Sequence, residues 1–133
     1  MAAFAIEQHE RGLAKFLLPQ HRPRFTHALA DEKLRDKLRG QLPHFHWLDE
    51  RYVTAARAGE AAETARKLQD EGAPPTCLLI HEDSDFDGLV LPLEDALGLT
   101  LHSTQGALIS CVPGKLAVYF EEEPKEIFVL RRG

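Results

Sequence analysis

Three apolar runs at the carboxyl end of the chain constrain its fold more than any other feature. They cover Ala107–Val112, 115–121 and Glu126–Arg131, with Pro113-Gly114 and the charged segment 122–125 between them. Proline fixes φ at about −65° and glycine accepts positive φ, so a Pro-Gly pair favours a tight chain reversal. The pattern therefore predicts three consecutive antiparallel strands.

The last of these runs is apolar on both faces. Ile127 and Val129 point to one side of the predicted strand. Phe128 and Leu130 point to the other side. A strand of this kind is buried on both faces. Other parts of the chain must therefore pack on each side of the sheet, and we expect the amino-terminal half to provide them.

The amino-terminal half is predicted to be mainly helical. Apolar spacing predicts helices over 4–18, 49–57 and 60–70. A further helix is predicted to begin at Pro23, because proline suits the first helical position. Another is predicted over 32–39, with Asp31 as its N-cap and Gly40 as its stop. After residue 72, the same reasoning predicts a buried strand at Thr76–His81, a short helix at 93–97 and a loop or short strand at 99–104.

The predicted fold class is therefore α+β, in a single domain. With 133 residues, the chain is long enough to bury a core without cross-links. A mainly helical half, 1–72, is expected to pack on a mainly β half, 76–132, whose mostly antiparallel sheet has about four strands. The hydrophobic share of 44% and the charged share of 28% indicate a globular protein rather than a disordered one.

The cysteines and the lengths of the apolar runs indicate in which cellular compartment the protein is expected. Cys77 and Cys111 lie in apolar, strand-like runs, which predicts buried and reduced thiols. No apolar run approaches the length of a membrane span, and charges near the amino terminus come too early for a signal-peptide core. We therefore expect a cytoplasmic protein that does not insert into a membrane.

Charge is divided unevenly along the chain. Residues 1–57 carry ten Lys or Arg and seven Asp or Glu, whereas residues 58–133 carry six and fourteen, so the overall charge of −5 combines a net +3 with a net −8. Such a molecule is suited to head-to-tail self-association or to an acidic partner for its basic half. The simpler interpretation, which we favour, is that the helices carry the cations and the turns carry the acids.

The basic segment 22–39 is a weak candidate for nucleic-acid binding. It holds six Lys or Arg in eighteen positions, but Phe25 is its only aromatic residue and acidic residues interrupt it. Because stacking on bases needs exposed aromatic side chains between the cations, the composition argues against a nucleic-acid partner.

One acidic segment carries a specific chemical motif. Residues 83–94 match the pattern D-x-[DN]-x-[DN]-G-x5-E at each specified position, namely Asp83, Asp85, Asp87, Gly88 and Glu94. The segment resembles the calcium loop of EF-hand proteins over twelve residues. That resemblance implies that four carboxylates hold a divalent cation, Ca²⁺ or Mg²⁺, and these belong to Asp83, Asp85, Asp87 and Glu94.

The flanks of this segment depart from the EF-hand pattern. An apolar strand rather than a helix is predicted before it, and Leu91 stands at a position that is usually polar. The alternative interpretation is a solvated turn in which Asp83 or Asp85 bonds nearby amides. In that case Glu94 only stabilises the start of the next helix.

A His-x-His pair offers a second, weaker metal hypothesis. His44 and His46 stand on either side of Phe45 and just before Trp47. Two such histidines on a strand point the same way and are able to share a metal ion. We favour the alternative that Phe45, Trp47 and Leu48 anchor a loop on the core while the histidines face water.

Together these features favour binding over catalysis. We expect a small cytoplasmic binding or adaptor protein without catalytic activity, whose partner is another protein or a second copy of the chain. The first alternative is a protein that binds a divalent cation at 83–94. The second is a metal-dependent hydrolase that uses this cation with His81 or His102 as base. The sequence contains no GxSxG, P-loop, HExxH or paired CxxC pattern that would identify an enzyme class.

Overall fold

The computed structural model describes residues 4–122 and 126–133, in which helices and strands follow each other in mixed order. The helices are α1 (Ile6–Ala14), α2 (Arg22–Ala30), α3 (Glu32–Gln41), α4 (Ala61–Asp70) and α5 (Leu93–Thr100). The strands are β1 (Val53–Arg57), β2 (Thr76–His81), β3 (Leu89–Pro92), β4 (Ala107–Val112), β5 (Leu116–Phe120) and β6 (Glu126–Arg131). Short 3₁₀ helices lie at Pro19–His21, Leu42–His44 and Glu50–Tyr52.

One antiparallel sheet runs through the described part of the protein. Its six strands are arranged in the order β1-β6-β5-β4-β2-β3, and each is antiparallel to its neighbours. β4, β5 and β6 are adjacent both in the chain and in the sheet, which confirms the arrangement predicted from the three apolar runs. Gly114 has a positive φ of 70° in the turn between β4 and β5. The second predicted turn, at 122–125, includes Glu123, Pro124 and Lys125, which lie outside the described residues.

Helices cover both faces of the sheet. Leu78 and Ile80 of β2 belong to a buried cluster that α1, α2 and α3 complete. Cys77 and Leu79, which alternate with them, belong to a second cluster that α4 and α5 complete. The prediction that both faces are covered is confirmed, and the result is an α+β structure of three layers.

The predicted number of strands is wrong, because the sheet has six strands rather than about four. β1 lies inside the predicted helix 49–57, where Ala55 and Ala56 favour a helix locally. Residue-by-residue pairing with β6, from Val53 opposite Leu130 onward, overrides that preference. The preference itself is worth only a few tenths of a kcal/mol per residue. β3 lies inside the predicted cation loop and pairs with β2.

The predicted division into a helical half and a β half is also wrong. β1 comes from the first half of the chain, and α5 lies between β3 and β4. α5 runs to Thr100 and so takes up the start of the segment 99–104 that was expected to be a loop or strand. Asp31 does cap α3, since its Oδ1 accepts the Leu34 N–H at 3.0 Å, but the helix continues past Gly40. Among the described residues, no helix combines the length and the apolar character that crossing a membrane requires.

A buried polar contact fixes α1 on the sheet. His9 Nδ1 lies 2.7 Å from Ser110 Oγ on β4, and both residues are buried. The ring of Phe4 stacks on the imidazole with a centroid separation of 4.4 Å. Burial lowers the pKa of His9, so the neutral ring is favoured at neutral pH. The first helix is thereby tied to a central strand.

The cysteines lie on the sheet and face the cluster that α4 and α5 complete. Cys77 and Cys111 are buried and unbonded to each other, as predicted. Burial raises the pKa of the Cys77 thiol to about 12 and also raises that of Cys111. Both thiols are therefore protonated and poor nucleophiles at neutral pH.

Candidate functional site

The first half of the predicted cation loop is the turn between β2 and β3. Asp83 organises this turn, because its Oδ1 accepts the Asp85 N–H at 2.9 Å and its own N–H donates to His81 Nδ1 at 2.8 Å. The Asp83 carbonyl accepts the Asp87 N–H at 3.1 Å. Gly88 has a positive φ of 80°, a conformation that suits glycine. This part of the motif is a hydrogen-bonded turn, with Asp85 exposed.

Cations from α3 bind the carboxylate of Asp87. Arg35 donates to it twice, from Nε to Oδ2 at 2.7 Å and from Nη2 to Oδ1 at 3.2 Å. Arg39 Nε lies 3.7 Å from the same Oδ2, and the His81 N–H donates to Oδ1 at 3.1 Å. The Asp87 side chain is only 8% exposed. Both oxygens of this predicted metal ligand are therefore already engaged.

Arg35 joins this turn to the helical layer. Its Nη1 donates to Glu10 Oε2 on α1 at 2.9 Å. One turn further along α3, Arg39 donates to the Glu82 carbonyl at 3.0 Å. Burial by itself lowers the pKa of Arg35, but the hydrogen bonds to Asp87 and Glu10 outweigh it and raise the pKa overall. The network holds α1, α3 and the β2–β3 turn together.

The fourth predicted ligand, Glu94, lies apart from the three aspartates. An extended strand with the four residues of β3 spans about 13 Å. Glu94 follows this strand, in the first turn of α5, and is exposed. The structure thus gathers Asp83, Asp85 and Asp87 in one turn and does not bring Glu94 to them. In 4–122 and 126–133, no three His, Cys, Asp or Glu side chains are grouped so that they could hold a metal ion.

The His-x-His segment has the form of the anchored loop. Phe45 is buried and Trp47 is half-buried, whereas His44 and His46 are exposed. His44 Nε2 lies 3.0 Å from Glu122 Oε1 at the surface. The aromatic residues therefore hold this segment on the core while the imidazoles face water.

Cation binding by the acidic loop stays a prediction, and a thermal melt tests it. The motif predicts that millimolar Ca²⁺ raises the melting temperature of chelator-stripped protein by several degrees, since a ligand at about 100 times its Kd adds about 2.7 kcal/mol. It also predicts that Asp85→Ala removes this rise, because Asp85 is a motif carboxylate with an exposed side chain. A melting temperature that Ca²⁺ leaves unchanged would mean that the segment is a structural turn.

A groove between α2 and α3 is the second candidate site. Its volume is about 410 Å³. Apolar residues form its floor, namely Ala28, Leu34, Leu38 and Trp47. Exposed polar residues form its rim, namely Arg24, His27, Lys37 and Gln41. The lining contains no Asp or Glu, so the groove is apolar inside and positively charged around its mouth.

Trp47 is held in place on the floor of this groove. His21 stacks on the indole with a centroid separation of 5.0 Å and an interplanar angle of 6°. The guanidinium of Arg24 lies 5.8 Å from the ring centroid, within the range of a cation–π contact. The Trp47 carbonyl accepts the Leu18 N–H at 2.9 Å. A fixed and half-buried indole gives a binding surface that needs little ordering when a partner arrives.

Sequence patterns did not predict the groove or the ion pairs of Asp87. They showed the basic segment 22–39 and the Trp47 loop separately, but the contacts that join them are long-range ones such as the bridge between Leu17 and Leu48. No local signal distinguishes Arg35, which contacts Asp87, from the other cations of 33–39. No protein-family model, curated protein or solved structure matches the chain.

Proposed function

We propose that the protein is a small cytoplasmic adaptor without catalytic activity, which binds a partner protein through a segment rich in Asp or Glu. The observation that carries this proposal is the groove between α2 and α3, whose apolar floor is bordered by Arg24, His27 and Lys37, with no carboxylate among its described lining residues. Cys77 and Cys111 are buried and form no disulfide with each other, which is in keeping with the cytoplasm.

An apolar side chain of the partner supplies most of the affinity in this arrangement. Leu34 and Trp47 are half-buried and have surface left for contact. Burying one Leu or Phe side chain contributes about 1.5–3 kcal/mol. The groove volume of about 410 Å³ accommodates such a side chain. Tryptophan is also among the residues that most often dominate the energy of protein interfaces.

The rim cations select the sign of the partner's charge. Lys37 and Arg24 are exposed, so their attraction for carboxylates is modest in energy and decreases with salt. Such charges increase the association rate of an acidic partner and disfavour a basic one. The groove lies within residues 1–57, which carry a net charge of +3 in a chain whose overall charge is −5.

The lining of the groove is better suited to binding a peptide than to binding a nucleic acid or to catalysing a reaction. His21 stacks on one face of Trp47, so the indole is not an open platform for bases. The described lining contains no Ser, Thr, Cys, Asp or Glu that could serve as a nucleophile or orient His27 as a base. An acidic segment with one apolar anchor uses both the floor and the rim.

A charge reversal on α3 tests this proposal. The probe is a fluorescein-labelled peptide with a central Leu-Phe pair between glutamates, compared with the same peptide built with lysines. We expect fluorescence anisotropy to show that the acidic peptide binds more tightly, and that Lys37→Glu weakens it about fivefold or more.

The matched control is Lys33→Glu, which makes the same charge change at an exposed α3 position that does not line the groove. This variant should bind the acidic peptide nearly as the wild type does. Equal affinity for the two peptides, or equal losses in both variants, would contradict the proposal.

A further inference from the structure

A second basic recess lies away from the groove, where four parts of the chain meet. It has a volume of about 330 Å³ and is lined by Lys15, Arg22, Pro113, Gly114, Lys115, Arg132 and Gly133. These residues come from the segment after α1, the start of α2, the β4–β5 turn and the segment after β6. Four of the seven are cations and none is Asp or Glu.

Two of the four cations are held by the main chain. Arg22 Nε donates to the Leu17 carbonyl at 3.1 Å. Arg132 Nη1 donates to the Lys15 carbonyl at 2.8 Å, and its guanidinium lies 5.1 Å from the ring centroid of Tyr52. Each guanidinium has further N–H donors beyond the one used in these bonds. The donors are therefore positioned before any ligand arrives.

The β4–β5 turn that forms the floor of the recess packs directly on α1. A Cβ on Gly12 of α1 would lie 2.3 Å from the Gly114 nitrogen, so helix and turn are in direct backbone contact. The Lys15 side chain crosses the same turn, with Cδ 2.9 Å from where a Gly114 Cβ would stand. The positions from which Lys15 and Lys115 project are consequently fixed by packing.

In the described part of the chain, no ion pair with an Asp or Glu side chain engages these four cations, which are Lys15, Arg22, Lys115 and Arg132. Asp49 interacts electrostatically with Arg22, but its hydrogen bonds go to Arg51, including Nη2 to Oδ2 at 2.7 Å. Four like charges around one recess repel each other, and a bound anion relieves that repulsion.

We propose that this recess binds a small molecule with two linked phosphate groups, of the pyrophosphate or bisphosphate class. The fork of N–H donors on a guanidinium matches the spacing of phosphate oxygens, and lysines add point charges. Four cations balance the charge of two phosphates rather than of one. The volume of about 330 Å³ also leaves space for more than a single phosphate. This site is independent of the peptide groove, with which it shares no lining residue.

Calorimetric titration with inorganic pyrophosphate tests the inference, with inorganic phosphate as a comparison at equal ionic strength. We expect pyrophosphate to bind at least about tenfold more tightly than phosphate and Arg132→Gln to reduce its affinity by about tenfold or more. The double variant Lys15→Gln/Lys115→Gln changes only exposed side chains and should show a similar loss while it keeps the wild-type melting temperature.

Arg66→Gln is the matched control, since Arg66 is exposed on α4 and does not line the recess. Full pyrophosphate affinity in the double lysine variant, or equal losses in Arg66→Gln, would overturn the inference. An absence of pyrophosphate binding would also overturn the inference, even if the protein sediments with phosphatidate vesicles. Lys37→Glu should leave pyrophosphate binding unchanged. The phosphate-site inference and the peptide-groove proposal can therefore fail separately.

Discussion

Replacing Gly12 by alanine is expected to destabilise the protein by about 1–3 kcal/mol, although alanine is the better helix former. Alanine gains about 1 kcal/mol over glycine inside a helix. At Gly12 the new Cβ would lie 2.3 Å from the Gly114 nitrogen and 2.8 Å from the Pro113 carbonyl carbon. Because backbone atoms cannot turn aside as a flexible side chain does, α1 or the turn must shift, and overpacking of this kind outweighs the helix preference. Urea unfolding of the two proteins measures the difference.

The same substitution in α5 is the matched control. Gly98 is also within a helix, but a Cβ there meets nothing within 4 Å. Gly98→Ala should therefore stabilise the protein by about 0.5–1 kcal/mol. If Gly12→Ala were as stable as Gly98→Ala, α1 would not rest on the β4–β5 turn, and the floor described for the phosphate recess would be wrong as well.

Replacing Asp87 by alanine is expected to cost about 3 kcal/mol of unfolding free energy. The change removes the two Asp87 oxygens that accept from Arg35, which keeps only Glu10 and the Leu29 carbonyl as acceptors, and it leaves the His81 N–H without its partner. Removing one member of a buried ion pair costs about 3–5 kcal/mol, whereas exposed pairs are worth about 0–1 kcal/mol. The side chains of Arg35 and Asp87 are 19% and 8% exposed, so the lower part of the buried range applies. Urea unfolding in the presence of a chelator measures this cost without any contribution from a metal ion.

Asp85→Ala is the control for this prediction. Asp85 occupies an equivalent position in the cation motif, but its side chain is exposed. We expect its replacement to change stability by less than about 0.5 kcal/mol in the metal-free protein. Similar small effects of the two substitutions would contradict the ionic network around Arg35. A double-mutant cycle with Arg35→Ala then gives the coupling energy of the pair directly.

The parts of the fold that sequence patterns predicted are those with local signals. The three apolar runs and their turns gave β4, β5 and β6, because alternation and Pro113-Gly114 act over a few residues. The helix at 60–70 and the Asp31 cap follow from signals of the same range. The mixed α+β class was therefore predictable from the sequence.

The parts that the sequence did not predict depend on distant partners. β1 is a strand because it pairs with β6. Its two alanines, Ala55 and Ala56, do not by themselves indicate a strand. In the acidic loop, the motif identified the aspartates of the turn, but the partner of Asp87 lies 52 positions earlier in the chain, at Arg35. The groove likewise requires Trp47 to meet α2 and α3, and no spacing rule links these segments.

Fluorescence of Trp47 tests the central claim most directly, because it is the single tryptophan of the chain and lines the groove. Titration with an unlabelled acidic peptide that carries a Leu-Phe anchor should shift the emission to shorter wavelength in a saturable way, since the half-buried indole loses water. The lysine-flanked peptide should have little effect at the same concentrations, and Lys37→Glu should move the acidic titration to higher concentration. An emission spectrum that neither peptide changes, or that both change equally, would contradict the assignment of the groove as a site for an acidic partner.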